Sequence, residues 1–251
     1  RHRCRVALDL ILIEIAVDQA QLGEASAGAG GETDKRVAEG ELTCCVADFL
    51  AMVVADTQFH ARQAAAKVRI DYEVLEPLTD PFEALKPGAP LVHPEGVFAP
   101  RQSNILQPTT AFSRGDVDAA LKSAAHIIEA TFDTQPIEIA FLEPEACVAL
   151  PQGNGIKVIT DSQGSVYDHQ QIAKILKLDA KDVEISLLPS GGAFGAKEEL
   201  SVQGQTAMAA MLLGRPVKTV LTREQSTQHQ VKRHAMWVKL TVGADADGRL
   251  L

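Results

Sequence analysis

The hydrophobic and polar positions of this chain follow two periods, one of two residues and one of three to four residues. Strict alternation predicts strands with one covered face, and short apolar runs between turn residues predict buried strands. The sequence VRIDYEV at 68–74 alternates, whereas FLAMVVA at 49–55 is a continuous apolar run. The strands predicted in this way are 49–55, 68–74, 126–134, 146–150, 156–160, 183–188 and 217–221.

Apolar residues spaced three and four apart after a capping side chain predict helices between these strands. The predicted helices are 57–67, 117–125, 167–178 and 197–213. Asp56 or Thr57 can cap the first helix, and Asp116 can cap the second. This mixture of elements predicts an α+β fold class, and the strand–helix–strand order of 49–74 predicts a small α/β domain near its start.

Prolines are concentrated in 77–108, where the sequence has little periodicity. Such a composition predicts an extended linker, so we expect a domain boundary there. The sequence PQGNG at 151–155 predicts a hairpin loop. Residues 243–251 form a turn followed by the start of an apolar strand, from which we expect the chain to be a piece of a larger polypeptide.

Composition and charge limit the function classes. A chain of 251 residues can form one large domain or two small ones, and its net charge of −9 argues against binding to nucleic acid or an anionic membrane surface. The apolar segment 8–17 contains Asp9 and Glu14, so it is not interpreted as a signal peptide. The four cysteines lack the spacing of metal ligands, and we expect them to be buried thiols in a reducing compartment, the cytoplasm.

A glycine-rich stretch, SGGAFGAKEE at 190–199, lies between a predicted strand and a predicted helix. Glycines allow a positive φ and a close approach of backbone or ligand. If a helix begins at Lys197, the free amide groups of the loop would lie at its N-terminus, ready to bind an anion. The alternative is a glycine-rich turn that only packs, and the loop by itself does not decide between the two.

Several motifs occur together with this loop, and in this order the chain resembles the molybdopterin-binding subunit of the xanthine dehydrogenase/aldehyde oxidase family. The motifs are FLEPEA at 141–146, DSQG at 161–164, GGAFGAKE at 191–198, GRPVK at 214–218, LTRE at 221–224 and KRH at 232–234. The resemblance implies an α/β hammerhead-type domain at 1–85, of which 1–45 match poorly. It further implies a proline-rich linker at 86–110 and the N-terminal part of the molybdenum-cofactor domain at 111–251.

The resemblance also implies roles for individual residues. Gln163 corresponds to a glutamine that contacts an oxygen ligand of molybdenum, and an amide can donate to such an oxygen without neutralising the centre. Gly192, Ala193, Phe194 and Gly195 correspond to the loop that passes the cofactor, and Gln163 and Phe194 are expected in the molybdenum shell without being direct ligands. The alternatives are a polar residue that closes a turn for Gln163 and a core plug for Phe194.

Glu198 corresponds to a carboxylate that hydrogen-bonds the purine ring in xanthine-type enzymes and can stabilise charge developing on a ring nitrogen. The alternative is an ordinary glutamate in the first turn of a helix, which is how we interpret Glu199. The chain departs from the family at Ala193 and Ala196, where glycine is usual, and at Ile139, where histidine is frequent. Glu143 and Glu145 are therefore assigned to structure.

The resemblance implies part of a molybdenum hydroxylase that oxidises a purine or similar N-heterocycle with water-derived oxygen. The implied cofactor is molybdenum–molybdopterin, alone or as a dinucleotide, with 2Fe–2S clusters and FAD on other domains or subunits of a hetero-oligomer. The remainder of the molybdenum domain and a small-molecule substrate are the other expected partners. Two alternatives stay open, namely an aldehyde or other aromatic-heterocycle oxidoreductase of the same family and a non-catalytic assembly fragment.

Overall fold

A computed structural model describes residues 49–92, 102–105 and 111–251. Its strands are β1 His126–Thr134, β2 Ala146–Gln152, β3 Gly155–Thr160, β4 Val183–Leu187, β5 Val217–Val220 and β6 Met236–Ala244. Its α-helices are α1 Gln58–Ala65, α2 Pro81–Ala84, α3 Val117–Ser123, α4 Ser165–Leu176, α5 Gln203–Leu213 and α6 Arg223–His229, and a 3₁₀ turn covers Ala180–Asp182. The combination of helices and strands confirms the predicted α+β class.

The chain divides into two compact units, and the described residues 49–92, 102–104 and 139–231 belong to the first. Its four-stranded sheet has the order β4–β3–β2–β5. β2 and β3 form an antiparallel hairpin, β5 lies antiparallel to β2, and β4 lies parallel to β3 after the crossover through α4. The result is a mixed sheet with a single parallel pair.

The core of this unit lies between the sheet and helices α4 and α5. Ala149 and Val158 of the sheet and Ile172 of α4 are fully buried in one cluster together with Ala207 and Ala209 of α5. Helix α5 is apolar over most of its surface, as expected for a helix covered on several sides. α4 is amphipathic and ends at Lys177 in the left-handed conformation.

The strand directions bring four connecting segments to the same end of the strands, which we call the sheet edge. β3 and β4 are parallel neighbours, so the segments that follow them, 161–164 and 188–202, leave the sheet on the same side. β2 begins opposite the end of β3, with Cys147 paired to Thr160, which places the preceding segment 141–145 at this edge as well. The segment after β5 joins them, because the Leu221 amide donates to the carbonyl of Glu145 over 3.0 Å.

The second unit contains residue 105 and the described residues 111–138 and 232–251. β1 and β6 form a two-stranded antiparallel sheet in which Ala130 pairs with Leu240. Helix α3 is capped by the Asp116 carboxylate, which accepts from the Ala119 amide, and it packs on β6 where Gly243 faces Leu121. The predicted cap and the predicted strand 126–134 are both confirmed.

Several predicted elements are wrong. Residues 49–55 contain isolated bridge residues and no strand, although Met52, Val53 and Val54 still pack into the unit. Residues 68–74 form no strand either, since alternation is not sufficient where the described residues offer no neighbouring strand. The hammerhead-type arrangement of 1–85 and the predicted domain boundaries therefore stay predictions.

The linker and one helix also differ from expectation. The proline-rich stretch is not extended throughout, because Asp80 caps the short helix α2 within it. The helix predicted from Lys197 begins at Gln203. Capped helix α1, the hairpin of β2 and β3, and helix α4 agree with the sequence to within about two residues. Among the described helices, none is long and apolar enough to cross a membrane.

Candidate cofactor site

The loop after β3 and the loop after β4 are joined through Gln163. Its backbone amide donates to the carbonyl of Lys197 over 2.8 Å. Its side-chain Oε1 accepts from the amides of Gly195 and Lys197 over 3.1 and 3.3 Å. Two donors facing one atom identify that atom as the oxygen, so the Nε2 group points away from the loop. Nε2 has no hydrogen-bond partner among the described residues, and the Gln163 side chain is exposed.

The glycine loop has left-handed backbone at three positions. φ is +112° at Gly192, +53° at Phe194 and +89° at Gly195. Ala193 and Ala196 are buried and anchor the loop, while Phe194 is 78 % exposed, which excludes the core-plug alternative. The successive amides of Gly192, Ala193 and Phe194 donate no hydrogen bond to any described residue. Such a run of free amides suits an oxygen-rich, negatively charged group.

The predicted helix N-terminus is absent from this loop. Residues 194–197 form a turn, and α5 begins six residues after Lys197 with Val202 as its N-cap. Lys197 does not begin the helix because its side chain faces the interior of the unit, and the residue is only 4 % exposed. The free amides therefore belong to a turn with left-handed residues, and they do not gain from a helix dipole.

A buried ion pair lies beneath the loop. The Lys197 ammonium pairs with Asp161 Oδ2 and donates to the carbonyl of Glu143 over 2.9 Å. It also lies 4.5 Å from the centroid of the Phe141 ring. Glu143 Oε2 accepts from the Gly191 amide over 2.5 Å, so the carboxylate holds the opposite end of the loop.

Sequence reasoning did not single out Lys197 or Asp161, although both lie within quoted motifs. A lysine between a small residue and two glutamates is typical of a solvated helix surface. The one available signal was Asp161, a carboxylate directly after a strand whose parallel neighbour ends beside it.

Two carboxyl groups beside the loops are buried, and neither forms an ion pair with another described residue. Burial raises the pKa of Asp168 to about 6 from its ordinary value of 3.8, and only the Ser162 side chain opposes this rise. Burial also raises the pKa of Glu145, against smaller opposing effects of hydrogen bonds and Lys197. Asp168 is 0 % exposed and Glu145 is 2 % exposed, so both belong to the buried structure that supports the loops.

Glu198 lies directly after this buried lysine, and its side chain is exposed. Its carbonyl approaches Gly164 so closely that a Cβ on Gly164 would lie 2.5 Å from the oxygen. Because α5 begins at Gln203, neither Glu198 nor Glu199 lies in a first helical turn, and that alternative is wrong for both. Glu198 is thus an accessible carboxylate beside the Gln163 loop.

These positions can receive a cofactor but do not form a metal site by themselves. In the described ranges, no cluster of three or more His, Cys, Asp or Glu side chains has the arrangement of a metal centre. What the two loops offer is an outward amide from Gln163 and the free backbone donors of the glycine loop. Their chemistry fits the oxygen atoms of a bound anionic group.

Comparison with known proteins gives a family match and several sequence relatives for this chain. Residues 97–251 match the family described as molybdopterin cofactor-binding domain. The chain is 33 % identical over 207 residues to a probable xanthine dehydrogenase subunit from Bacillus subtilis, covering 82 % of this chain and 27 % of that protein. It is 35 % identical over 204 residues to the nicotinate dehydrogenase large molybdopterin subunit from Eubacterium barkeri, covering 81 % and 46 %.

The solved structures give the same fold. The aldehyde oxidoreductase from Desulfovibrio desulfuricans superposes with a TM-score of 0.78 at 24 % identity, covering 91 % of this chain and 26 % of that one. The chain therefore spans between about a quarter and a half of the length of these relatives.

Proposed function

Since the chain belongs to the molybdopterin cofactor-binding domain family, we propose that its two joined loops hold part of a molybdenum–molybdopterin cofactor in a hydroxylase. The proposed reaction oxidises a purine or similar N-heterocycle with oxygen derived from water. The observation that carries this proposal is the orientation of Gln163. Two amides fix its oxygen, whereas its amide nitrogen and three backbone amides of the glycine loop have no partner within the described part of the chain.

The residues proposed to hold the cofactor are those whose donors are unused. Gln163 would donate from Nε2 to an oxygen on the metal, and the amides of Gly192, Ala193 and Phe194 would donate to the same anionic group. Gly195 would let the group approach, because open space surrounds the position where a Cβ would be. When bound, the molybdenum cofactor supplies a redox-active centre that accepts the electrons of substrate oxidation.

Glu198 is proposed to bind the substrate. Its exposed carboxyl group lies one residue beyond the backbone that holds Gln163, so a ring bound near the cofactor could reach it. A carboxyl group there would hydrogen-bond a ring nitrogen and stabilise the charge that develops on it. The two sequence relatives described above are named for xanthine and nicotinate, which are N-heterocycles, whereas the structural neighbour is named for aldehydes, so the variant of Glu198 described below decides between the two substrate classes.

The proposal is tested on the complete enzyme that contains this chain. Gln163→Glu keeps an oxygen for the two loop amides but replaces the outward donor with an acceptor, so we expect a loss of about 10- to 100-fold in molybdenum content or activity. Gln163→Leu removes both the acceptor for the two loop amides and the outward donor, so it should also make the glycine loop less ordered. Glu76→Gln, at an exposed residue outside the site, serves as the control.

Glu198→Gln tests the substrate separately. Loss of the carboxylate should lower kcat for xanthine or hypoxanthine by about 100-fold or more while molybdenum content is retained. Unchanged purine turnover would remove the assignment of Glu198, and an aldehyde or another heterocycle would then be tested. An assembled enzyme in which Gln163→Glu changes neither metal content nor activity would contradict the cofactor role.

The organisation of the whole enzyme is part of the same proposal. We propose a hammerhead-type domain at 1–85, a linker at 86–110 and a molybdenum-domain segment at 111–251, and the family match to 97–251 supports the last of these three. Because the relatives are considerably longer than this chain, we propose the remainder of the molybdenum domain and 2Fe–2S and FAD partners in a hetero-oligomeric assembly. The proposed cytoplasmic location rests on the cysteines, which lack the spacing of metal ligands and are expected to be reduced thiols. Co-purification of iron and flavin with this chain tests the proposed partners.

A further inference from the structure

Lys197 is buried to a degree that is unusual for its residue type. Its side chain is 3 % exposed and its partner Asp161 is 7 % exposed. Removing an ammonium group from water is costly unless it is paired and hydrogen-bonded, and apolar side chains of similar volume are often equally or more stabilising. Stability of the fold therefore does not account for a lysine at this position.

The contacts of Lys197 join three segments of the sheet edge. Its ammonium binds Asp161 in the loop after β3 and the Glu143 carbonyl in the segment before β2. Its backbone carbonyl and amide bind the backbone and side chain of Gln163. One residue thus fixes both the loop that carries Gln163 and the end of the glycine loop.

The other end of the glycine loop is fixed by the same segment. The Gly191 amide donates to Glu143 Oε2, and a Cβ on Gly191 would lie 2.6 Å from the Glu143 Cβ. Arg223 holds the segment from its far side, since its Nη2 donates to the carbonyls of Phe141 and Leu142 over 2.5 and 2.9 Å. The ammonium is therefore bound to a segment that is itself held in place.

We propose that Lys197, paired with Asp161, is a positioning residue that sets the direction of the Gln163 amide and the three free loop amides toward the cofactor. This inference rests on the proposed function of the two loops. Lys197 is buried beneath the loops, so we expect its effect to pass through Gln163 and the loop backbone. A neutral side chain in its place would remove the attachment to Asp161 and to the Glu143 carbonyl, and would leave the two loops joined chiefly by the hydrogen bonds between Gln163 and the loop backbone.

The test separates positioning from stability by a pair of variants. Lys197→Met leaves the buried Asp161 carboxylate without its ammonium partner, with only the Ser190 hydroxyl among the described residues donating to it over 3.4 Å, so the melting temperature of the variant should fall. The double variant Lys197→Met/Asp161→Leu replaces the ion pair by apolar side chains and should regain most of that loss. If Lys197 is a positioning residue, the double variant regains stability but its molybdenum content per chain stays at about one tenth of the wild-type value or lower.

Amide hydrogen exchange provides a readout that does not need the loaded enzyme. In cofactor-free protein, the amides of Gly191, Gly195 and Lys197 should exchange faster in the double variant, because their acceptors are no longer held. Lys157→Met, which breaks the more exposed pair with Glu184 at 2.6 Å, is the matched control and should change neither readout.

The outcomes distinguish this inference from the proposed function. A double variant with wild-type exchange, metal content and kcat would overturn the positioning role and leave the proposed function in place. A wild-type enzyme without molybdenum would overturn the proposed function and this inference with it. If Lys197→Met does not fold, Asp161→Asn, which retains an acceptor for the ammonium, should give smaller losses of the same sign, and unchanged values would also refute the role.

Discussion

Asp168 offers a quantitative prediction about the support of the site. It lies in the first turn of α4, is fully buried, and its amide donates to the carbonyl of Gly164 in the Gln163 loop. Neither of its carboxylate oxygens has a hydrogen-bond partner of normal geometry within the described part of the chain. Burial raises its pKa to about 6, compared with 3.8 in an exposed setting.

The direction of the pH dependence follows from the raised pKa. Below pH 3.8 the carboxyl group is protonated in both the folded and the unfolded chain and has no differential effect. Between pH 3.8 and about 6 the carboxyl group loses its proton in the unfolded chain and keeps it in the folded chain, so the free energy of unfolding falls as the pH rises. At about 1.4 kcal/mol per pKa unit, the folded state is destabilised by about 3 kcal/mol above pH 6.

Replacement of Asp168 by asparagine should remove this penalty. We expect Asp168→Asn to raise the free energy of unfolding by up to about 3 kcal/mol at pH 7.5 and by close to nothing at pH 3.5. Urea unfolding followed by circular dichroism across this pH range measures the difference. Asp133→Asn, at an exposed position of β1, is the control and should change stability by less than about 0.5 kcal/mol at either pH.

An Asp168→Asn variant that is less stable than the wild type at pH 7.5 would contradict the destabilising effect assigned to the buried carboxylate. So would a stability gain that is independent of pH, because a pH-independent gain would come from packing. Either result would mean that the ionised carboxylate is stabilised in the folded protein.

Three further predictions concern the loops and the core. Gly164→Ala should lower the free energy of unfolding by about 1–3 kcal/mol, because its Cβ would lie 2.5 Å from the Glu198 carbonyl oxygen. Gly248→Ala is the control in the same unfolding assay, because φ is +81° there and no atom lies within 4 Å, so only backbone strain is introduced. Phe194→Ala should change the unfolding free energy by less than about 0.5 kcal/mol, since the ring is 78 % exposed, and a larger loss would return it to the core. Burial raises the pKa of Cys147 to about 12, so peptide mapping should find this thiol unmodified by iodoacetamide at pH 8 until the protein is unfolded.

The elements that could be predicted from sequence are those with local causes. Asp116 and Thr57 cap the helices expected of them, because capping depends on the side chain and the next three residues. The hairpin of β2 and β3 is equally local. The family resemblance is confirmed, since several motifs in a fixed order carry far more information than any one of them.

The elements that could not be predicted depend on distant partners. The alternation of 68–74 satisfies only one condition for a strand, and the described residues provide no strand to pair with it. The helix predicted to start at Lys197 starts at Gln203, because Lys197 is buried although its sequence neighbours are typical of a solvent-exposed helix start. Only the fold brings Asp161, 36 residues away along the chain, to its ammonium.

The predicted site residues fall between these cases. Gln163, Phe194, Gly195 and Glu198 do converge at one edge of the sheet, because the strands before them are parallel neighbours. Their roles toward cofactor and substrate stay predictions. The residues that hold them, foremost Lys197, are buried and could be recognised only from the structure.

The two joined loops are proposed to hold a molybdenum cofactor. Elemental analysis of molybdenum in the native assembly that contains this chain tests it most directly, with the Gln163→Glu assembly measured beside it. We expect stoichiometric molybdenum in the wild type and a clear deficit in the variant. A fully assembled, folded wild-type complex without molybdenum would contradict it.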